Sequence, residues 1–443
     1  MATSKLNDKD IMNLLIDTAI SQGATDADCI LSRSRGVSLT RRLGKDETIE
    51  RYEDFDTGLR VFIGNKIASV STNETSEAAL KEVATRAIEM AKITPKDEFG
   101  MIADRKTLEL FPLNNSLSID SYDQNEPDIN LIRSRASEVE DAALNVNGIT
   151  NSDGADASWG EGETLLMTSN GFFGHSKRSN HSVSVVVIAE KDGKMERDYD
   201  YSSKVYGEDL KKPELIGIKA AENTLARIGA KKPNTGKYPV VFGPRVARSI
   251  SGHISSAIQG SAIARKTSFL KDMMNKQIAN SSINMIDDPF LKRGLGSRLF
   301  DREGLGCSKR LMIKNGVLQG WFLDLASAKQ LNMHPTGYAN GTSNFMIMPG
   351  DITSENLIKE ITDGFYVTDM IGSSVSMVTG DYSRGASGFW IKDGQLSHPI
   401  SEATIAGNLK EMFMSLKPAN DVDLSYSVTS PTLLIVGMTI AGN

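Results

Sequence analysis

Five histidines are scarce reagents in this 443-residue chain: His175, His181, His253, His334 and His398. Metal-assisted hydrolysis needs several N, O or S ligands converging on one ion, and a carboxylate to move protons. No two of these histidines stand at i and i+4 on a predicted helix. His175 and His181 are six residues apart and are expected on a pair of strands. His334 and His398 each precede a proline and read as surface loops. His253 lies in "SISGHISSAIQG" (residues 249–260), beside the apolar side that Val246, Ile250, Ala257 and Ile258 give to a predicted helix. There it serves either as a hydrogen-bonded packing residue or as a ligand, and the local sequence offers it no co-ligands.

Other chemistries lack their residues. There is no glycine-rich loop ending in Gly-Lys-Ser/Thr to cradle phosphates. "RGLGSRLF" has the wrong spacing for a dinucleotide fingerprint and no strand before it, and "GASGFW" misses the Gly-x-Ser-x-Gly register of a nucleophile elbow. "TGDYSRGASGFW" (residues 379–390) is a different kind of candidate. Gly385, Ser387 and their small neighbours allow close approach of another backbone. Arg384 offers a planar donor fork for a carboxylate or for carbonyls. Two readings stand: the wall of a peptide cleft, or a tight turn with Arg384 in a structural salt bridge.

The elements that must position these groups can be read from periodicity. "NDKDIMNLLIDTAISQG" is a first helix, capped by Asn7 or Asp8 and stopped by Gly23. Alternating strands follow, with turns expected at Arg35-Gly36, Gly44-Lys45-Asp46 and Gly64-Asn65. A second helix buries Leu80, Val83, Ala84, Ala87, Ile88 and Ala91. Residues 94–127 are irregular. A third helix, "INLIRSRASEVEDAALN", precedes strands turning at Ser169-Asn170-Gly171 and at Lys191-Asp192-Gly193. The helix "PELIGIKAAENTLARIGA" then ends near Gly229. "KKPNTGK" (residues 231–237) is the linker candidate. The strand "YPVVFGP" follows, and Pro244 suits the first turn of the His253 helix. The remainder is rich in Gly-bounded strands, with one further helix in "SENLIKEITDG". The expected fold class is α+β: an N-terminal α+β domain over 1–230, with subregions 1–95 and 125–230, and a C-terminal domain over 237–443 dominated by antiparallel β-structure.

Composition narrows the partners. A formal net charge of −6 argues against a surface built to hold nucleic acid, which needs clustered Lys and Arg. Cys29 and Cys307 match no zinc spacing and fit a reducing compartment. No apolar run suits a membrane span or a signal peptide. The expectation is a cytoplasmic protein that binds neither nucleic acid nor membrane.

Five stretches in order, "LLMTSNGFFGHSKRS", "YPVVFGPRVARSI", "SAIARKTSFL", "MVTGDYSRGASGFWIKDGQLSHPISEATIAGNLKEMF" and "SPTLLIVGMTIAGN", resemble the TldD/PmbA metalloprotease family, in its PmbA (TldE) branch. The resemblance spans essentially the whole chain. It implies the two-part fold above and a heteromeric protease that processes leader peptides and degrades unfolded or small peptides. In the TldD branch a helix carries His-Glu-x-x-x-His, followed by Leu-Glu-Gly-Asp, and a cysteine near the C-terminus completes the zinc site. Aligning Ile258-Gln259-Gly260-Ser261 with Leu-Glu-Gly-Asp puts Ser251, Gly252 and Ser256 at the His, Glu and His positions, with His253 out of register and no cysteine near the C-terminus. What the resemblance implies is a chain with no catalytic residues and no metal of its own. It would shape the cleft for a TldD-type subunit that carries zinc, or form a homodimer when alone. An independent hydrolase with an unrecognised site and a peptide- or protein-binding modulator stand as alternatives.

Overall fold

A computed structural model describes residues 6–114 and 116–442; residues 1–5 and 443, at the ends of the two expected domains, lie outside the described residues. The chain is α+β with mostly antiparallel sheets. In the first half, strands β1 (Asp26–Arg42), β2 (Lys45–Ile63), β3 (Lys66–Thr72), β4 (Asn151–Thr168), β5 (Phe173–Lys191) and β6 (Lys194–Lys204) form a six-stranded sheet in the order β3-β2-β1-β4-β5-β6.

Helices cover one face of this sheet. Helix α1 (Asp8–Ser21) is capped by Asn7, whose side chain accepts from Asp10 N, and it packs with α2 (Glu77–Ile93) on Ala27, Cys29 and Leu31 of β1. The six residues expected to line α2's apolar side are the six it buries. After the short α3 (Arg105–Leu110), helices α4 (Ile129–Leu144) and α5 (Pro213–Ala226) pack on Val37 and Leu39 of the same strand. All five β1 residues are odd-numbered, so both helix pairs share a face. Even positions such as Ile30 and Ser32 face the second half of the chain.

The turn expected at Arg35-Gly36 does not exist. β1 runs through it, with Gly36 opposite Tyr52 on β2 and Gly160 on β4. A Cβ at Gly36 would meet Trp159 O and the Tyr52 ring at 2.7 Å. The glycine is there for close approach between strands, and the real reversal comes at Leu43-Gly44, where φ is 49° and 77°. His175 and His181 both lie on β5, not on two strands.

The second half begins with β7 (Gly236–Phe242) and α6 (Pro244–Ala257), with Pro244 in the first turn as expected. After α7 (Gly260–Ala264) come β8 (Met285–Asp287), β9 (Arg310–Lys314), β10 (Val317–Leu318), α8 (Leu325–Gln330), β11 (Phe345–Ile347), α9 (Ser354–Lys359), β12 (Asp363–Val375), β13 (Asp381–Lys392), β14 (Gln395–Asn408), α10 (Leu409–Ser415), β15 (Lys417–Pro418), β16 (Val428–Thr429) and β17 (Leu433–Ala441). A larger sheet runs β14-β13-β12-β7-β17-β15, and β14 also pairs with β17, so it closes on itself. A smaller sheet runs β10-β9-β8-β11-β16. Helix α6 packs against β7 and β12 of one and against β11 and β16 of the other. Val246, Ala247, Ile250, Ile254 and Ala257 enter a core with Phe242, Phe365, Tyr382 and Ile435. His398, expected in a loop, sits on β14. β17 is paired along both edges and serves as a core strand. Among the described residues no helix is long and apolar enough to cross a membrane.

Candidate functional site

The first turn of α6 is anchored to the N-terminal half. Arg245 Nη1 donates to Asp198 Oδ1 on β6 at 2.7 Å, and Arg227 Nη1 lies 3.1 Å from Asp198 Oδ2. Burial opposes ionisation of Asp198, but the two guanidiniums outweigh it and hold its carboxyl below the usual range. Arg245 also lies over the Tyr199 ring, 4.5 Å from its centroid.

One turn on, Arg248 donates from Nη1 to Tyr201 Oη at 2.8 Å and stacks over Tyr426 at 4.7 Å. Arg245, Arg248 and Gly252 follow one another along one side of α6 at helical spacing. With Tyr199, Tyr201, Tyr426 and Arg384 they line a cleft of about 640 Å³ between the halves.

The three zinc-motif positions are spread around the same helix. Ser251 is fully buried and its hydroxyl donates to Thr429 O on β16 at 2.9 Å. Ser256 is exposed and its hydroxyl donates to Gly252 O one turn back, also at 2.9 Å. Gly252 borders the cleft and an added Cβ there would meet nothing within 4 Å. Two hydroxyls held by backbone carbonyls and one missing side chain do not fit a zinc centre, which takes imidazole, thiolate or carboxylate. Among the described residues no three His, Cys, Asp or Glu side chains gather as a metal-binding group.

Beside these closed positions stand open ones. His253 packs edge-on to Tyr382, with centroids 5.9 Å apart, and its buried Nε2 has no hydrogen-bond partner among the described residues. Burial, then the charge of Arg384, pushes its pKa down to about 4, so the ring is neutral at pH 7. Arg384 lies inside β13 and not in a turn. It makes no ion pair among the described residues, and its buried Nε is also without a partner. Both features of the tight-turn reading are therefore absent. Gly385 and Ser387 alternate with Arg384 along β13 and do not line the cleft; Ser387 is buried. The lone signal in the sequence for the rest of the cleft was the spacing of Arg245, Arg248 and Gly252. Tyr199, Tyr201 and Tyr426 arrive from strand and loop segments more than 200 residues apart in the chain, and had no local signature.

Family models match residues 27–91 as PmbA/TldA metallopeptidase domain 1, 122–228 as the central domain and 235–442 as the C-terminal domain. The chain belongs to the PmbA/TldD metallopeptidase family. It is 34% identical over 437 residues to Metalloprotease PmbA of Escherichia coli O157:H7, covering 98% of this chain and 96% of that one. A candidate modulator of DNA gyrase from Bacteroides thetaiotaomicron VPI-5482 superposes with a TM-score of 0.93 at 29% identity over 100% of both chains. TldE from Thermococcus kodakarensis shares the fold, with a TM-score of 0.82 at 20% identity over 98% of this chain and 100% of that one.

Proposed function

We propose that this chain is the zinc-free subunit of a heteromeric peptidase of the cytoplasm, in which a TldD-type partner supplies the metal and this chain supplies a wall of the peptide cleft. The observation that carries the reading is the state of α6: at the aligned positions Ser251 and Ser256 spend their hydroxyls on Thr429 O and Gly252 O, and Gly252 has no side chain to act as a base. The helix is kept as scaffold for residues that face the cleft. On this reading the chain divides into domains over 1–230 and 237–443, and the cleft is where the two meet.

The chemistry left to this chain is recognition. Arg384 is a charged fork with no ion pair and an unpartnered Nε among the described residues, suited to a peptide carbonyl or carboxylate. Tyr199, Tyr201 and Tyr426 give flat amphipathic surface. An extended, unfolded or small peptide, a leader segment included, would run along β16, the edge strand of the smaller sheet whose Val428 lines the cleft, by main-chain hydrogen bonds with little demand on its own side chains.

The test is to mix the chain with a TldD-type subunit and follow cleavage of an unfolded peptide, with size-exclusion chromatography at micromolar concentration. The reading expects a complex, and a mixture more active than either chain alone. A partner equally active by itself, with no complex formed, would overturn it.

A further inference from the structure

A second cavity, of about 480 Å³, lies between the halves on the far side of residues 295–298: Leu295 lines the α6 cleft, while Ser297 and Arg298 line this one. Its other wall is the helix-free face of the N-terminal sheet, with Ile30 and Ser32 of β1 and Ser176 and Arg178 of β5.

Two guanidiniums meet here. Arg178 makes a single hydrogen bond, from Nη2 to Leu295 O, which leaves Nε and Nη1 without partners among the described residues. Arg298 donates from Nη1 to Thr342 O at 3.1 Å and from Nη2 to Gly341 O, and its buried Nε has no partner. Neither arginine has a carboxylate in ion-pair contact among the described residues. Burial and the charge of Arg298 both weaken Arg178's hold on its proton, the sign that the two cations repel across a partly desolvated gap.

Arg298 feels the charges of Asp287 and Asp301, neither in ion-pair contact with it, whereas Arg178 feels burial and Arg298 but no carboxylate. Asp301 lines the cavity, but its carboxylate accepts from three backbone amides, those of Glu303, Leu305 and Ala339. Burial also raises its pKa. His175 and Lys177 are engaged by Glu163 and Glu161 at 2.7 Å and 3.7 Å. Arg302 adds a further positive charge. The hydroxyls of Ser32 and Ser176 line the same space with no hydrogen bond among the described residues. Two like charges brought together out of water are costly unless an anion lies between them, and a pair of planar forks matches the geometry of an oxyanion.

We propose that this cavity binds a small oxyanion, a phosphate or carboxylate group, between Arg178 and Arg298. Because Arg178 belongs to the N-terminal sheet and Arg298 to the second half, the anion ties the two halves together beside the α6 cleft. The site does not depend on the peptidase reading.

The experiment is calorimetric titration of the purified full chain with inorganic phosphate and, separately, with malonate, at constant ionic strength. The expected result is saturable one-to-one binding of at least one anion with Kd at or below about 1 mM, weakened at least about tenfold in Arg178→Gln. Binding of phosphate alone marks a tetrahedral oxyanion, and binding of malonate alone marks a carboxylate. Circular dichroism checks that the variant folds. Should it not, Arg178→Lys keeps the charge but loses the fork and is read instead, with weakening in the same direction. No saturable heat with either anion, or binding unchanged by substitution of Arg178, would overturn the proposal.

Discussion

Two groups of polar atoms share helix α6 and its surroundings, and they are in opposite states. At Ser251 and Ser256 each hydroxyl is consumed by a backbone carbonyl. Beside them, His253 and Arg384 keep buried nitrogens with no partner among the described residues. Buried polar atoms in folded proteins are nearly always satisfied, so the second group calls for a partner from outside the chain, water or ligand. The first group is what a fold does with polar side chains it needs only for packing. On the proposed reading, the positions aligned with the family's metal site are closed into the scaffold, while the wall beside them is left open.

The largest effect expected from breaking this contrast is in pH dependence. The folded pKa of His253 is about 4 against 6.5 for an exposed ring. Between those values the unfolded chain binds a proton that the folded chain refuses, so stability is full above pH 6.5 and falls as pH drops toward 4. The loss is up to about 3 kcal/mol. Urea denaturation at pH 7 and pH 4.5 measures it as the part of the pH difference that His253→Gln removes; Glu303, whose pKa burial raises to about 8, titrates in the opposite sense and is common to both proteins. Arg384→Ala should shrink the His253 part too, since part of the depression comes from that charge. A pH slope in this window unchanged by His253→Gln would refute the assignment.

Next in size is recognition itself. Loss of a charge-assisted hydrogen bond from Arg384 should weaken peptide binding by about 1.5–3 kcal/mol, seen as a fall in kcat/KM of the mixed subunits. The far-ultraviolet spectrum of the chain should not change, because Arg384 holds no ion pair that the fold would lose. Ser251→Ala should act the other way round. It strands Thr429 O in the core and costs about 1–3 kcal/mol in thermal unfolding, with no change in peptide cleavage once the protein is folded. The smallest effect belongs to Gly252→Ala. With open space around its Cβ and a helical backbone, alanine should stabilise by about 0.5–1 kcal/mol.

Local pattern carried the elements, and long-range assembly carried the site. The stripe of α2 was legible because a helix buries residues by its own period. Gly36 was misread because a glycine that admits two neighbouring strands looks, in one dimension, like a glycine that turns the chain. His398 was misread because a proline after it suggested a loop, and β14 tolerates that proline beside a register shift. Helices α8 and α10 were missed; the signals they offer are single caps, Asp324 accepting from Ser327 N and Asn408 accepting from Lys410 N. The degenerate zinc positions came from resemblance to the family. The unpartnered state of Arg384 and His253 could be seen only once β13 had been laid against α6.

The central claim is that α6 holds no metal, and zinc content tests it most directly. The purified full chain, equilibrated with equimolar zinc and desalted, is analysed for bound metal by elemental analysis. The account predicts far less than stoichiometric zinc, unchanged in His253→Ala. About one zinc per chain, lost in His253→Ala, would show a ligand set of the kind a zinc centre requires and would contradict the account.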